Sequence, residues 1–223
     1  ARIPVADSAT TLVECLAAIP VMRRADLQVR RADVDCSWLP PEHGEVSVCH
    51  STGSTGEPVS LRRSGLNILI WMAMTLREHL WQGRDISLPL AIIRAQFATD
   101  DDARRGVSLQ DWGPPFNHLF VSGPSHGLNL QTDVVRQAEW LREIMPAYLL
   151  TYPSNLSALL DLAELDPERR AGLGRLVQVR TLGETLPDAL RERCRSLLGI
   201  DIADAYSSQE VGVIAIECPQ GGG

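Results

Sequence analysis

Residues 46–58 read Val-Ser-Val-Cys-His-Ser-Thr-Gly-Ser-Thr-Gly-Glu-Pro, and the rest of the chain takes its meaning from them. Val46, Val48 and Cys49 interleave with Ser47 and His50, the alternation of a short strand. The chain then breaks into a loop in which Ser51, Thr52, Ser54 and Thr55 surround Gly53 and Gly56. Glycine permits backbone angles that other residues resist, so successive N–H groups can turn inward around an anion. Hydroxyls add donors that rotate to suit a phosphate oxygen. Pro58 stops the loop, and Val59, Ser60 and Leu61 restart an extended run. As residues alone, the loop suits either a solvated turn or a polyphosphate cradle. It is not a Walker loop, whose G-x-x-x-x-G-K-[ST] spacing and Lys are missing, nor a nucleophile elbow, since no Ser here sits in G-x-S-x-G.

Composition narrows the field. The 223 residues, 44% hydrophobic and 22% charged, suffice for one large core or two modest ones. A net charge of −7 without a basic cluster argues against a nucleic-acid partner. All 21 cationic residues are arginine, so no lysine amine serves as an electrophilic clamp or Schiff-base former. Cys15, Cys36, Cys49, Cys194 and Cys218 are scattered and lack metal-type spacing, which suits reduced thiols in a cytoplasmic protein. The apolar run at 66–76 is too short to span a bilayer, so no membrane partner is expected, and no secretory leader is read at the start.

The order of elements predicts the fold. Leu12, Cys15, Leu16 and Ile19 keep a helical spacing that Pro20 ends, and residues 38–44 deliver the chain to what is expected to be a central strand at Val46. Ser64 is placed to cap a helix over 66–81, apolar almost all round and so expected to be buried against a sheet. Strands are predicted at 88–95, 119–122, 147–151, 176–182 and 200–205, with helices over 132–144, from Pro153, and over 187–198. Residues 99–113 read as a polar surface loop whose Asp100-Asp101-Asp102 run is a solvated charge cluster rather than a metal site. Residues 123–127 read as a turn. Regular alternation of strand and helix argues for an α/β fold with a mostly parallel sheet flanked by helices. Two segments result, an N-terminal helix and loop over 1–45 and an α/β core over 46–223. Ligands of such sheets sit beyond the carboxyl ends of the strands, which directs attention to the turns at 51–56, 125–126, 152–154, 183–184 and 206–210.

Ser51-Thr52-Gly53-Ser54-Thr55-Gly56-Glu57-Pro58 resembles the T-S-G-T-T-G-x-P phosphate loop of the acyl-adenylating superfamily, which includes acyl-CoA synthetases, aryl-CoA ligases, peptide-synthetase adenylation domains and luciferases. Val59 stands where that family often has Lys. Leu182-Gly183-Glu184, followed by Leu186-Pro187, is similar to its G-G/A-E-P-L turn, and Ala205-Tyr206-Ser207-Ser208-Gln209-Glu210 to its Y-G-x-T-E element, with Ser207 for Gly and Gln209 for Thr. The stretches 19–27 (Ile-Pro-Val-Met-Arg-Arg-Ala-Asp-Leu), 152–156 (Tyr-Pro-Ser-Asn-Leu) and 217–219 (Glu-Cys-Pro) resemble the phenylacetate–CoA ligase branch.

The resemblance implies part of the large N-terminal domain of an adenylate-forming enzyme. Such enzymes activate a carboxylic acid with ATP and Mg²⁺, release pyrophosphate, and pass the acyl group to a thiol of CoA or a carrier protein. Carried over residue by residue, Ser51, Thr52, Gly53, Ser54, Thr55 and Gly56 hold phosphates. Gly183, Glu184 and Tyr206 frame the adenine, Ser207 lies beside the nucleotide, and Glu210 binds the metal. Glu210, Thr55, Gln209 and His126, the last as a gate to the acyl pocket, are the candidates for catalytic work. Relatives are often dimers, so a homodimer is compatible with the resemblance. Relatives also continue into a small domain bearing a catalytic Lys, so the chain is expected to be an incomplete piece of a longer enzyme. The alternative is a non-catalytic nucleotide- or partner-binding module.

Overall fold

The computed structural model describes residues 12–50, 59–95, 97 and 105–220. Three short helices come first: α1 (Leu12–Ala17), α2 (Arg24–Val29) and α3 (Arg31–Val34). A hairpin follows, β1 (Val46–His50) antiparallel to β2 (Ser60–Ser64), with Val46 opposite Ser64 and His50 opposite Ser60. This ribbon is a two-stranded sheet of its own, so the strand at Val46 is not the central one. The reason lies in its alternation. A strand buried on both faces reads as a continuous apolar run, whereas Val-Ser-Val-Cys-His suits a ribbon open to solvent. The candidate phosphate-loop residues 51–56 connect the two strands and lie outside the described residues.

The remaining elements are α4 (Gly65–Trp81), β3 (Leu90–Arg94), β4 (Val107–Leu109), α5 (Phe116–Leu119), β5 (Ser125–Asn129), α6 (Val134–Ile144), β6 (Tyr148–Thr151), α7 (Pro153–Leu165), α8 (Pro167–Leu173), β7 (Gln178–Leu182), α9 (Asp188–Leu198), β8 (Asp201–Ser208) and β9 (Gly212–Ile216). They form a seven-stranded sheet in the order β4-β5-β3-β6-β7-β8-β9. The five inner strands run parallel, and the edges β4 and β9 are antiparallel to their neighbours. The mostly parallel α/β sheet is the predicted architecture.

Because side chains alternate across a strand, the two faces differ. Ala91, Ile93, Leu149, Val179 and Ile202 point to one face, where they pack with Leu141, Leu156, Leu160 and Cys194 from α6, α7 and α9 in the main core. Asp133 caps α6 by accepting the Val135 N–H at 2.9 Å. The opposite face carries two smaller clusters, Leu90 and Tyr148 with Trp112 and Phe116, and Leu150, Leu182 and Ala205 with Ile92 and Tyr152. One face is thus filled, the other only partly covered.

Three elements depart from the sequence reading. The predicted strand at 119–122 is instead the end of α5 and an exposed link, with Val121 96% exposed. The strand is Ser125–Asn129, and His126 lies within it rather than in a turn. Ser, His, Gly and Asn are poor strand formers, but pairing with β3 on one side and β4 on the other overrides propensity. Gly127 is needed there, since an added Cβ would lie 2.3 Å from the Phe97 ring. Residues 107–109, read as loop, form β4; Asp100, Asp101 and Asp102 lie outside the described residues. The third departure is α4. Ser64 caps it as expected, accepting the Asn67 N–H at 3.3 Å. Yet Leu69, Ile70 and Leu80 are more than half exposed, and the buried residues of the helix are Glu78 and His79.

A buried ion network explains that inversion. The Glu78 carboxylate accepts from Arg84 Nη1 at 2.9 Å and from Arg180 Nε at 2.5 Å, and pairs a second time with Arg180 through Nη2. Arg84 Nε donates to Gln178 Oε1 at 2.7 Å, so α4, the segment before β3, and β7 are joined at one point. Arg84 Nη1 also lies 3.2 Å from His79 Nδ1, and because arginine only donates, that nitrogen accepts and the imidazole is neutral. Burial, and then the charges of Arg84 and Arg180, push the His79 pKa from 6.5 down to about 2. Among the described residues no helix is long and apolar enough to cross a membrane, and Cys15, Cys36, Cys49, Cys194 and Cys218 are all free thiols.

Two outcomes follow for denaturant titrations of the protein. Glu78→Gln leaves two buried guanidiniums without a counter-charge and lowers stability by about 3–5 kcal/mol. His79 stays neutral when folded but protonates when unfolded, so its contribution is present above pH ~6.5 and is lost as pH falls. Stability drops by about 1.4 kcal/mol per pH unit below that point from this group alone, and His79→Gln removes that slope.

Candidate functional site

The partly covered face opens, at the carboxyl ends of the strands, into a cleft of about 710 Å³. In register, Ile92, Leu150, Arg180 and Ala203 stand side by side on β3, β6, β7 and β8. One pleat further along come Arg94, Tyr152, Leu182 and Ala205. Arg94, Tyr152, Arg180, Leu182 and Gly183 form the floor. Ile68, Trp71, Met72 and Thr75 of α4 form one wall, Pro114 and His118 another, and the β8–β9 turn the third.

Gly183 is shaped for its place. Its φ is 80°, in the left-handed region, and an added Cβ would lie 3.0 Å from the Tyr152 ring. The backbone is therefore bare at the cleft floor beside an aromatic face. The next residue turns away: the Glu184 carboxylate accepts the Ser154 N–H and its hydroxyl, each at 2.9 Å, and so ties off the first turn of α7. Its side chain lines a shallower neighbouring pocket with Arg193 rather than the cleft.

The turn between β8 and β9 is Gln209-Glu210-Val211, and Gly212 at φ 81° starts the return strand. Two elements hold it. Arg63 of β2 donates from Nε to the Gln209 carbonyl at 2.9 Å and from Nη2 to Gln209 Oε1 at 2.7 Å. The same guanidinium lies 4.6 Å from the centre of the Trp71 ring, and Trp71 packs where a Gly212 Cβ would sit. The β1–β2 ribbon is thereby fastened to the turn that presents Glu210.

Of the residues singled out from sequence, Gly183, Ser207, Gln209 and Glu210 line this cleft together. Tyr206 is 66% exposed and is not part of the lining. His126 stands on β5, paired with Ala91 and Ser108, and its Nδ1 lies 2.9 Å from the Ser108 hydroxyl. Burial lowers its pKa below the usual histidine value. It does not line the cleft either. Ser51, Thr52, Gly53, Ser54, Thr55 and Gly56 lie outside the described residues. Among the described residues no group of three or more His, Cys, Asp or Glu side chains could hold a metal, and Glu210 is exposed in the β8–β9 turn.

Sequence reasoning missed Arg94, Arg180, Trp71 and His118, which share the lining. A trace was there. Arg94 ends the apolar run Leu90-Ala91-Ile92-Ile93, and Arg180 interrupts Val179-Arg180-Thr181-Leu182, each a cation where a buried strand has little reason for one. Arg180 is satisfied by Glu78. Arg94 is not: its Nε is buried without a hydrogen-bond partner.

No protein-family profile matches the sequence, and no curated protein is detectably similar to it. Solved structures are similar in fold. A 2-hydroxyisobutyryl-CoA ligase in an open conformation, in complex with 2-HIB-AMP and CoA, superposes with a TM-score of 0.59 at 16% identity, covering 92% of this chain and 45% of that one. VinN in complex with L-aspartate gives 0.56 at 20% identity, covering 86% and 45%. The anthranilate CoA ligase AuaEII with anthranoyl-AMP gives 0.53 at 16% identity, covering 80% and 32%. The chain thus spans less than half the length of these structures. It shares its α/β fold with these structures.

Replacing Arg63 by Met keeps much of the stem and removes the donors that hold Gln209. Amide hydrogen exchange across residues 207–212 should rise by at least tenfold, while exchange in β3 and β6 stays as it was.

Proposed function

We propose that the full-length protein activates a carboxylic acid with ATP as an acyl-adenylate, releasing pyrophosphate, and transfers the acyl group to a thiol of CoA or a carrier protein. The observation that carries this reading is the convergence of Gly183 with Ser207, Gln209 and Glu210 in one cleft at the strand ends, in a chain with this fold. The named ligands of similar folds, acyl-AMP and CoA, support it.

The residues present fit the nucleotide and its metal. A hard cation such as Mg²⁺ needs only one or two protein carboxylates when phosphate oxygens and water complete its shell, and Glu210 is such a carboxylate. The bare backbone at Gly183 admits a flat ring, and Ser207 and Gln209 offer donors beside it. In this reading Ser51, Thr52, Gly53, Ser54, Thr55 and Gly56 supply backbone and hydroxyl donors to the β- and γ-phosphates. Glu184 contributes by fixing the turn rather than by touching the adenine, and Tyr206 covers the nucleotide from the exposed side. ATP supplies the electrophilic phosphorus and the leaving group. The chain's own contribution is to hold an anionic carboxylate against an anionic phosphate. Preorganised loop donors offset that repulsion. The free thiols suit a cytoplasmic setting.

ATP–pyrophosphate exchange on the full-length protein, across aryl and aliphatic acids, tests this. Acid-dependent exchange is expected, and Glu210→Ala should lower it by about 10²–10³-fold. ATP binding without exchange for any acid would identify a non-catalytic nucleotide-binding module. Neither binding nor exchange would overturn the nucleotide reading.

A further inference from the structure

We propose that Arg94 reads a second anionic group on the acid, so that the substrate is a dicarboxylic acid or an aryl acid with a second carboxylate. This rests on the adenylation reading above. Among the described residues three buried side-chain atoms lack a hydrogen-bond partner: Asn67 Oδ1, Arg84 Nη2 and Arg94 Nε. Arg84 has Glu78 as its counter-charge, as does the other cleft cation, Arg180. Arg94 has no carboxylate partner among the described residues, yet it is half-buried in the cleft floor. Sinking a guanidinium into a protein without an anion is unfavourable, and such an arrangement calls for a ligand that supplies one.

The sheet sets which part of the ligand that is. Arg94 ends β3, while Gly183 follows β7 and the Ser207–Glu210 lining follows β8. β3 and β8 are three strand spacings apart, with β6 and β7 between them. At ~4.8 Å per spacing, that separates Arg94 from the nucleotide side by roughly 14 Å. Arg94 therefore stands at the far end of the cleft from Glu210. In this proposal a short organic acid lies across the floor, over Tyr152, between the two ends. Its reacting carboxylate faces the nucleotide side beside Ser207, and its second carboxylate meets Arg94. A guanidinium fork suits that group because it pairs with a carboxylate through two parallel N–H donors.

The test compares matched acids on the full-length protein: succinate against butyrate, glutarate against valerate, and terephthalate against benzoate. Exchange kinetics give the ratio of kcat/KM for diacid over monoacid. Wild type is expected to favour one of the diacids, and Arg94→Met to collapse that ratio by about 30- to 1000-fold, with Arg94→Lys between the two. An unchanged ratio overturns the proposal, and so does a rise in the KM for ATP alone, which would make Arg94 a phosphate contact. A second readout without ATP separates the two claims. The preferred diacid should raise the melting temperature of wild type but not of Arg94→Met, whose folding is checked by circular dichroism. If that shift is seen while no acid supports exchange, Arg94 is a carboxylate site and the adenylation reading falls. If neither wild-type shift nor preference appears, the Arg94 assignment falls, whatever the exchange assay shows.

Discussion

The contact on which this architecture turns is the buried carboxylate of Glu78, held between Arg84 and Arg180. A helix with so many aliphatic side chains is ordinarily positioned by burying them. Here α4 leaves several in solvent and is seated by its polar pair, Glu78 and His79. An ion pair in a low-dielectric interior contributes little net stability over an apolar substitute, but it is exacting about geometry. It fixes the helix over β7 at one height and one rotation. That rotation brings Trp71 and Met72 to the cleft, and Trp71 in turn supports both Arg63 and Gly212. The helix, the ribbon and the β8–β9 turn are thus set by one chain of contacts that begins at a buried charge.

The asymmetry of the sheet follows from the same arrangement. One face, with α6, α7 and α9 against it, is closed by Leu, Ile and Ala packing and supplies the apolar burial that a domain needs. The other can then afford arginines on its strands and an open floor. Parallel strands place their strand-end turns on the same edge, so residues as distant in sequence as Arg94, Gly183 and Glu210 line one cleft there.

Much of this was legible in the sequence, and the exceptions share a cause. Strands β3, β6 and β7 announce themselves as apolar runs, and α6 and α7 by Asp133 and Pro153 at their starts. In the cleft lining, Gly183 and Glu210 are legible because a glycine after a strand and a carboxylate in a turn carry local meaning. β5 was displaced by six residues because Ser-His-Gly-Leu-Asn has no strand signature; its conformation comes from two neighbours and the Phe97 ring. Arg94, Arg180 and the orientation of α4 were hidden for a related reason. Whether a charge is buried depends on a partner far along the chain, and sequence spacing carries no record of Glu78 meeting Arg180 across 102 positions. His126 lies within β5 for the same reason, so its place is set by strand pairing rather than by a local turn signal.

The cleft's positive charge is carried by guanidiniums, in a chain with no lysine. Guanidiniums stay protonated at any physiological pH and are poor nucleophiles, whereas a desolvated lysine amine can lose its proton and attack an activated carbonyl. The floor therefore offers a fixed positive potential together with chemical inertness. An anion resting on it meets a charge that no physiological change of pH removes, and no lysine amine of this chain.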